Sequence, residues 1–176
     1  MFESIDFTEP PEALWLEDQL QQNGYSLSWL PVIQQWIARV LTTPLNKEGV
    51  TLASINSRDR LIEMEFYLPI NNLLTATDLD ALVRRYDPLS QRGPALDFRQ
   101  VKGMLKGFID LVFRWQGKYY LLDYKSNWLG ESHAAYTPEA MEQAMIDHRY
   151  DLQYQLYTLA LHRYLQHRLA GYDLSL

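Results

Sequence analysis

The spacing of apolar residues in the first 45 residues predicts two helices. One is expected over residues 11–23, ending at Gly24. The second follows Ser28, which we expect to cap it, and Pro31 lies in its first turn, where proline is tolerated. The chain therefore begins with a helical part.

The remaining chain mixes strand and helix patterns. Residues 61–68 alternate apolar and polar side chains, which is typical of a strand. A short capped helix is predicted over residues 77–86, and the segment 87–102, punctuated by Pro and Gly, is expected to be a connection. A polar loop over 126–137 precedes helical sequence over 138–169, with room for one break. The predicted class is α/β.

Two runs rich in aromatic and branched residues predict a β-hairpin. They cover residues 104–114 and 118–125 and are separated by a short turn. If Gln116 and Gly117 form a two-residue loop, the two strands are brought into a defined register. Asp110 and Asp123 then face each other directly across the hairpin.

This register brings the two carboxylates of Asp110 and Asp123 close to the ammonium group of Lys125. Directly opposed carboxylates destabilise a strand pair unless something positive lies between them. Lys125 shares a face with Asp123, because side chains alternate along a strand. Hard cations such as Mg²⁺ bind carboxylates, and a neighbouring lysine can orient water or stabilise charge on a phosphate. The alternative is an Asp123–Lys125 surface ion pair, with Asp110 at the mouth of the hairpin.

In two further pairs of polar residues, the sequence spacing places both side chains on the same face of a strand or helix. Glu63 and Glu65 lie on one side of the strand at 61–68, and Gln153 and Tyr157 lie one turn apart on the long helix. Without other information, the first pair is the solvated side of an edge strand. Gln153 and Tyr157 then lie at the polar edge of a helix whose apolar face packs in the core.

Composition narrows the class of protein. The chain has 176 residues, 47% of them apolar and 22% charged, as expected for one globular domain. It has no cysteine, no signal-like N-terminus and no apolar run of membrane-spanning length, so we expect a cytoplasmic protein. The net charge of −6 is unfavourable for DNA binding. A bound metal and a larger assembly would have to supply positive charge.

Several motifs occur together in a specific order. GMLKGFIDLVFRWQGKYYLLDYKSNWLG is followed by HRYDLQYQLYTLALHRYL, with EMEFYLPI and DPLS upstream. This combination closely resembles the C-terminal nuclease domain of the RecB family, from exodeoxyribonuclease V, over essentially the whole chain. The resemblance implies a PD-(D/E)xK, restriction-endonuclease-like core with a central mixed β-sheet flanked by helices.

The resemblance also implies a metal centre. Asp110, Asp123 and the backbone carbonyl of Tyr124 are the implied ligands of one or two Mg²⁺ ions, and Mn²⁺ or Ca²⁺ is expected to bind in their place. Lys125 is the implied catalytic lysine. The family has a further metal-binding histidine, which would lie just upstream of Met1.

The remaining polar pairs acquire roles from the same resemblance. Glu63 is the implied upstream acidic residue of the site, although Glu65 shares its face. Gln153 and Tyr157 are implied to support the site and to contact DNA.

At the level of the whole protein, the resemblance implies an exodeoxyribonuclease acting in double-strand break repair and recombination. Its implied partners are DNA, the RecC and RecD subunits, and the recombinase RecA. We expect a single nuclease domain truncated at both ends, with a helical part over 1–45 and a catalytic core over 61–169. The alternative is a module, non-catalytic or silenced by truncation, that docks partner proteins such as RecA.

Overall fold

The computed structural model describes Phe2 and residues 4–174. The four other positions, two near each end of the chain, lie outside the described residues. Two compact units are formed, Met1–Met64 with Asp110–Leu122 and Glu65–Ile109 with Asp123–Leu176. Each unit is discontinuous in sequence, because strands pass from one unit into the other.

Six helices and three strands organise the described residues, which confirms the predicted α/β class. The helices are α1 (Ala13–Gln22), α2 (Leu30–Thr42), α3 (Ala76–Tyr86), α4 (Pro88–Arg92), α5 (Pro138–Asp147) and α6 (Tyr150–Arg168). The strands are β1 (Arg60–Leu74), β2 (Val101–Trp115) and β3 (Lys118–Leu122), and they form a sheet of order β1-β2-β3. Within residues 4–174, no helix has both the length and the apolar character needed to cross a membrane.

The two N-terminal helices form as predicted, but the capping residue differs. Gly24 follows α1 with φ +74°, a conformation that glycine adopts without strain. Ser28 does not cap α2, because it lies inside a 3₁₀ turn over Leu27–Trp29. Ser26 caps that turn instead, and its hydroxyl accepts a hydrogen bond from the Ser28 amide at 3.2 Å.

The hairpin has the predicted register. Strands β2 and β3 are antiparallel, with pairs running from Leu111↔Leu122 to Trp115↔Lys118. Gln116 and Gly117 form the two-residue loop, with φ values of +48° and +76°. Positive φ at both positions is characteristic of a type I′ turn, which matches the twist of the flanking strands.

Strand β3 is shorter than predicted. The expected strand reached Lys125, but the ladder ends at Leu122, so Asp123 and Lys125 follow the strand instead of forming part of it. The side chains of these two residues bond to each other and to a helix, which holds the segment in place of ladder hydrogen bonds.

Strand β1 confirms the predicted alternation and continues beyond it. Met64, Phe66 and Leu68 are buried, whereas the residues between them are exposed. The strand extends to Leu74, six residues past the predicted end at residue 68. Glu63 interrupts the regular pleat with φ +50°, an uncommon conformation for a residue with a side chain.

The segment predicted as a connection contains helix α4. Asp87 caps it by accepting a hydrogen bond from the Leu89 amide at 2.8 Å, and Pro88 occupies the first turn. The long C-terminal helical region has the expected single break. Pro138 begins α5, and Arg149 separates α5 from α6 with φ +53°.

Candidate active site

The start of helix α6 is anchored by a buried ion pair. The carboxylate of Asp151, only 1% exposed, accepts hydrogen bonds from Nε and Nη2 of Arg149, each at 3.0 Å. Arg149 also donates to Asp80 at 3.0 Å and to the carbonyl of Pro94. Burial raises the pKa of Asp151, but hydrogen bonds from Arg149 and from the Ser90 hydroxyl outweigh it and lower the pKa overall.

The DPLS segment strengthens this anchor. Ser90 is fully buried and donates to Asp151 at 2.6 Å. Asp87 accepts a hydrogen bond from Gln155 at 2.8 Å and another from the hydroxyl of Tyr154. These contacts join the capped helix α4 to the first turns of α6. They therefore fix the position of the helix that carries Gln153 and Tyr157.

Asp123 and Lys125 form a close ion pair immediately after β3. The Nζ of Lys125 donates to Oδ2 of Asp123. The two side chains are 16% and 29% exposed, and Lys125 as a whole residue is exposed. Exposed ion pairs contribute little to stability. The contact is the Asp123–Lys125 ion pair that the alternative interpretation of the sequence expected, and it places both charges on the same side of the chain.

Gln153 connects this ion pair to helix α6. Its Oε1 accepts a hydrogen bond from Lys125, and its Nε2 donates to Oδ1 of Asp123 at 3.1 Å and to the hydroxyl of Tyr157 at 2.8 Å. An amide carries both an acceptor and a donor, so it can satisfy an ammonium and a carboxylate at once. The predicted Gln153–Tyr157 pair is therefore part of the cluster and not a fringe on the core.

Tyr150 and Asn127 also belong to the cluster, although no pattern in the sequence marked them as site residues. The Nζ of Lys125 lies 3.9 Å from the centroid of the Tyr150 ring. The Tyr150 hydroxyl donates to Oδ1 of Asn127 at 3.2 Å. Tyr150 is three residues before Gln153, so helical spacing could have indicated that both lie on one face.

The Tyr157 ring packs against Phe66, which in turn lies next to Gly107. The rings of Phe66 and Tyr157 are 5.6 Å apart at an interplanar angle of 72°, an edge-to-face contact. A Cβ at Gly107 would lie 2.5 Å from the Phe66 ring, so only glycine leaves room for that ring. The glycine of the GFID motif thus has a packing role close to the cluster.

The other implied acidic residues lie on strands β1 and β2. Asp110 is half-buried on β2 and Glu63 is exposed on β1, and both belong to the first unit. Glu65 forms an ion pair with Lys106 at 2.5 Å, and this hydrogen bond lowers the pKa of the Glu65 carboxyl. Among the described residues, no group of three or more His, Asp and Glu side chains is arranged to hold a metal.

Several known proteins have sequences similar to this chain. No family-wide sequence model matches the chain. The "RecBCD enzyme subunit RecB" of Escherichia coli K12 is 59% identical over 173 residues, covering 98% of this chain. The chain belongs to the RecB family. The RecB proteins of Haemophilus influenzae and of Buchnera aphidicola from Acyrthosiphon pisum are 44% and 42% identical, over 98% and 90% of the chain.

These RecB relatives are much longer than the chain. It spans 15% of the length of the Escherichia coli protein and 14% of the other two. Family membership agrees with the resemblance inferred from the GFID, DYKSN and Q-x-x-x-Y motifs. The last two supply all of the predicted residues that the structure brings together, Asp123, Lys125, Gln153 and Tyr157.

Proposed function

We propose that this chain is a Mg²⁺-dependent nuclease domain that hydrolyses DNA phosphodiester bonds, of the exodeoxyribonuclease V type. The observation that carries the proposal is the hydrogen-bonded cluster of Asp123, Lys125 and Gln153. A carboxylate and an ammonium held together by a bifunctional amide offer both a cation ligand and a cationic partner for a phosphate. RecB family membership supports the same function.

The donor set fits a hard divalent cation. Carboxylate and carbonyl oxygens are the ligands that Mg²⁺ takes, usually together with water and substrate phosphate. Asp123 and the backbone carbonyl of Tyr124 would hold the ion, with Asp110 as the second carboxylate. The hairpin register predicted from the sequence pairs Asp110 with Asp123. Bound Mg²⁺ would polarise the phosphate and lower the pKa of a coordinated water.

Lys125 and Gln153 have complementary tasks in this proposal. Gln153 donates to Oδ1 of Asp123 and thereby fixes the direction of the carboxylate. Lys125 presents an ammonium that stabilises negative charge developing on the phosphate oxygens. Tyr157 orients the Gln153 amide through its hydroxyl, and both side chains are proposed to contact DNA. Glu63 is proposed as the upstream acidic residue.

The proposed setting is a helicase–nuclease engaged in double-strand break repair and recombination. There the domain would cut DNA strands in a complex with the RecC and RecD subunits. The net charge of −6 makes this assembly physically important, because the 22 acidic residues of the chain outnumber its 16 Lys and Arg residues and repel the DNA backbone. Partner subunits would supply the positive groove that leads DNA to the site.

Removing the lysine tests the proposal in the full-length subunit with its partners. Lys125→Ala and Asp123→Ala should abolish Mg²⁺-dependent cleavage while ATP-driven unwinding continues. Lys118→Ala is the matched control, because Lys118 is an exposed lysine at the opposite end of the hairpin, with side-chain exposure of 69%. If both site variants cut DNA at the wild-type rate, these residues do not carry out the chemistry.

A second candidate function is the docking of a partner protein such as RecA. A groove of about 560 Å³ in the first unit is lined mainly by residues of α1 and α2, and it exposes Tyr25 and Trp29. Exposed aromatic side chains of this kind are common at protein interfaces. Trp29→Ser should weaken binding of purified RecA and leave DNA cleavage intact. Lys125→Ala should have the opposite effects, so the two functions are separable.

A further inference from the structure

The ammonium group of Lys125 makes three contacts, two of which are hydrogen bonds. Asp123 and Gln153 accept from its ammonium, and the ring of Tyr150 covers it at 3.9 Å. The face of an aromatic ring is negative and attracts a cation within about 6 Å. The ring therefore adds a third contact to the two hydrogen bonds of the ammonium.

Tyr150 is itself fixed in place. Its hydroxyl donates to Asn127, and its ring stacks on His148 with centroids 5.3 Å apart and an interplanar angle of 21°. It is also the first residue of α6, directly after the left-handed Arg149. The buried network around Arg149 and Asp151 therefore determines where the ring lies.

The two ends of Tyr150 contact two alternate residues of one segment. The ring contacts Lys125 and the hydroxyl contacts Asn127, both beyond the end of strand β3. This segment has no ladder hydrogen bonds to hold it. A long lysine side chain loses considerable rotamer entropy when it is fixed, so prior immobilisation favours a site that works without reorganisation.

We propose that Tyr150 is a positioning residue, whose ring holds the Lys125 ammonium towards the scissile phosphate and whose hydroxyl fixes the segment through Asn127. The kinetic part of this inference rests on the proposed nuclease function. It concerns a contact between side chains of this chain, and it assigns a role to the tyrosine that precedes the Q-x-x-x-Y motif.

The effect of the ring is tested by lowering the electron density on its face while its shape stays nearly constant. In the full-length subunit with its partners, Tyr150→Phe is compared with Phe analogues at position 150 carrying one, two and three ring fluorines. Fluorine withdraws density from the ring face and weakens cation attraction. We expect the single-turnover cleavage rate to fall with each fluorine, while KM for DNA stays constant. A rate that is independent of fluorination overturns the proposal.

A simpler pair of variants separates the ring from the hydroxyl. Tyr150→Leu removes both and should slow cleavage by between about twofold and thirtyfold, the range expected for one cation–π contact. Tyr150→Phe keeps the ring and should lose less. Tyr164→Leu is the matched control on the same helix, since Tyr164 is partly exposed and lies 5.6 Å from Arg168.

The outcomes distinguish this inference from the proposed function. If Lys125→Ala abolishes cleavage but Tyr150→Leu retains the wild-type rate, only the inference fails. If Lys125→Ala cuts normally, the proposed function fails first. If Tyr150→Leu does not fold, the fluorinated series decides, because it preserves the packing. An increase in KM alone would assign Tyr150 to DNA binding and would also contradict the inference.

Discussion

Removing the Asp151 carboxylate should destabilise the second unit strongly. In Asp151→Ala, the buried guanidinium of Arg149 loses two hydrogen bonds of 3.0 Å, and Ser90 loses one of 2.6 Å. At about 1.5–3 kcal/mol for each bond to a charged group, simple addition gives about 4.5–9 kcal/mol. Arg149 keeps Asp80 and the Pro94 carbonyl, so this sum is an upper bound. We expect a loss of about 3–5 kcal/mol, as for other broken buried pairs.

Urea denaturation of the purified protein measures this loss as a shift in midpoint at constant slope. Asp151→Asn is the conservative comparison, because it keeps an oxygen acceptor and should lose less. Glu142→Ala is the surface control, since its ion pair with Arg92 is about half exposed on both sides and should change the midpoint little. A midpoint shift in Asp151→Ala as small as that of Glu142→Ala would refute the assignment of α6 anchoring to this pair.

The same carboxyl makes stability depend on pH. The pKa of Asp151 is lower in the folded protein than its ordinary value of 3.8. A depressed pKa contributes stability that is complete above the unfolded value and is lost as pH falls through the folded value. Below about pH 4, wild-type stability should therefore fall more steeply than that of Asp151→Asn. Parallel curves of unfolding free energy against pH would contradict this.

Three other changes have definite expected results. Gln153→Glu puts a second carboxylate about 3.1 Å from Oδ1 of Asp123, so single-turnover cleavage should slow more than in an alanine variant lacking that charge. Gly107→Ala brings a Cβ to 2.5 Å from the Phe66 ring and should cost about 1–3 kcal/mol in urea unfolding, whereas Gly117→Asn, in a type I′ turn, should cost less. Chelation with EDTA should stop cleavage, and added Mg²⁺ should restore it; cleavage that persists in EDTA would exclude a metal-dependent reaction.

Local patterns predicted the hairpin and two residues of the cluster, Asp123 and Lys125. The register followed from alternation in the two strands and a loop, Gln116-Gly117, that adopts positive φ. The closeness of Asp123 and Lys125 followed from their spacing. Their pairing with Gln153 was beyond local pattern, because it depends on how α6 lies against the segment after β3. That information came only from the family resemblance.

Other features depend on tertiary contacts that no local pattern reveals. Helix α4 has only five residues, and its formation rests on the Asp87 cap and on buried Ser90 bonding to α6. The proposed role of Tyr150 depends on the break at Arg149, whose left-handed backbone is held by buried ion pairs. Helix α4 was therefore not predicted, whereas the break was expected but its position at Arg149 was not.

The dependence of cleavage on Mg²⁺ concentration tests the central claim most directly. The single-turnover rate would be measured across a Mg²⁺ titration for the full-length subunit with its partners, as wild type and as Asp123→Asn. Asparagine keeps the acceptor for Gln153 but removes the charge that would hold the ion. The proposed function predicts that cleavage falls by at least about a hundredfold at every Mg²⁺ concentration, with unwinding unchanged. A wild-type rate with an unaltered Mg²⁺ midpoint would contradict the assignment of Asp123 as a ligand of the catalytic metal.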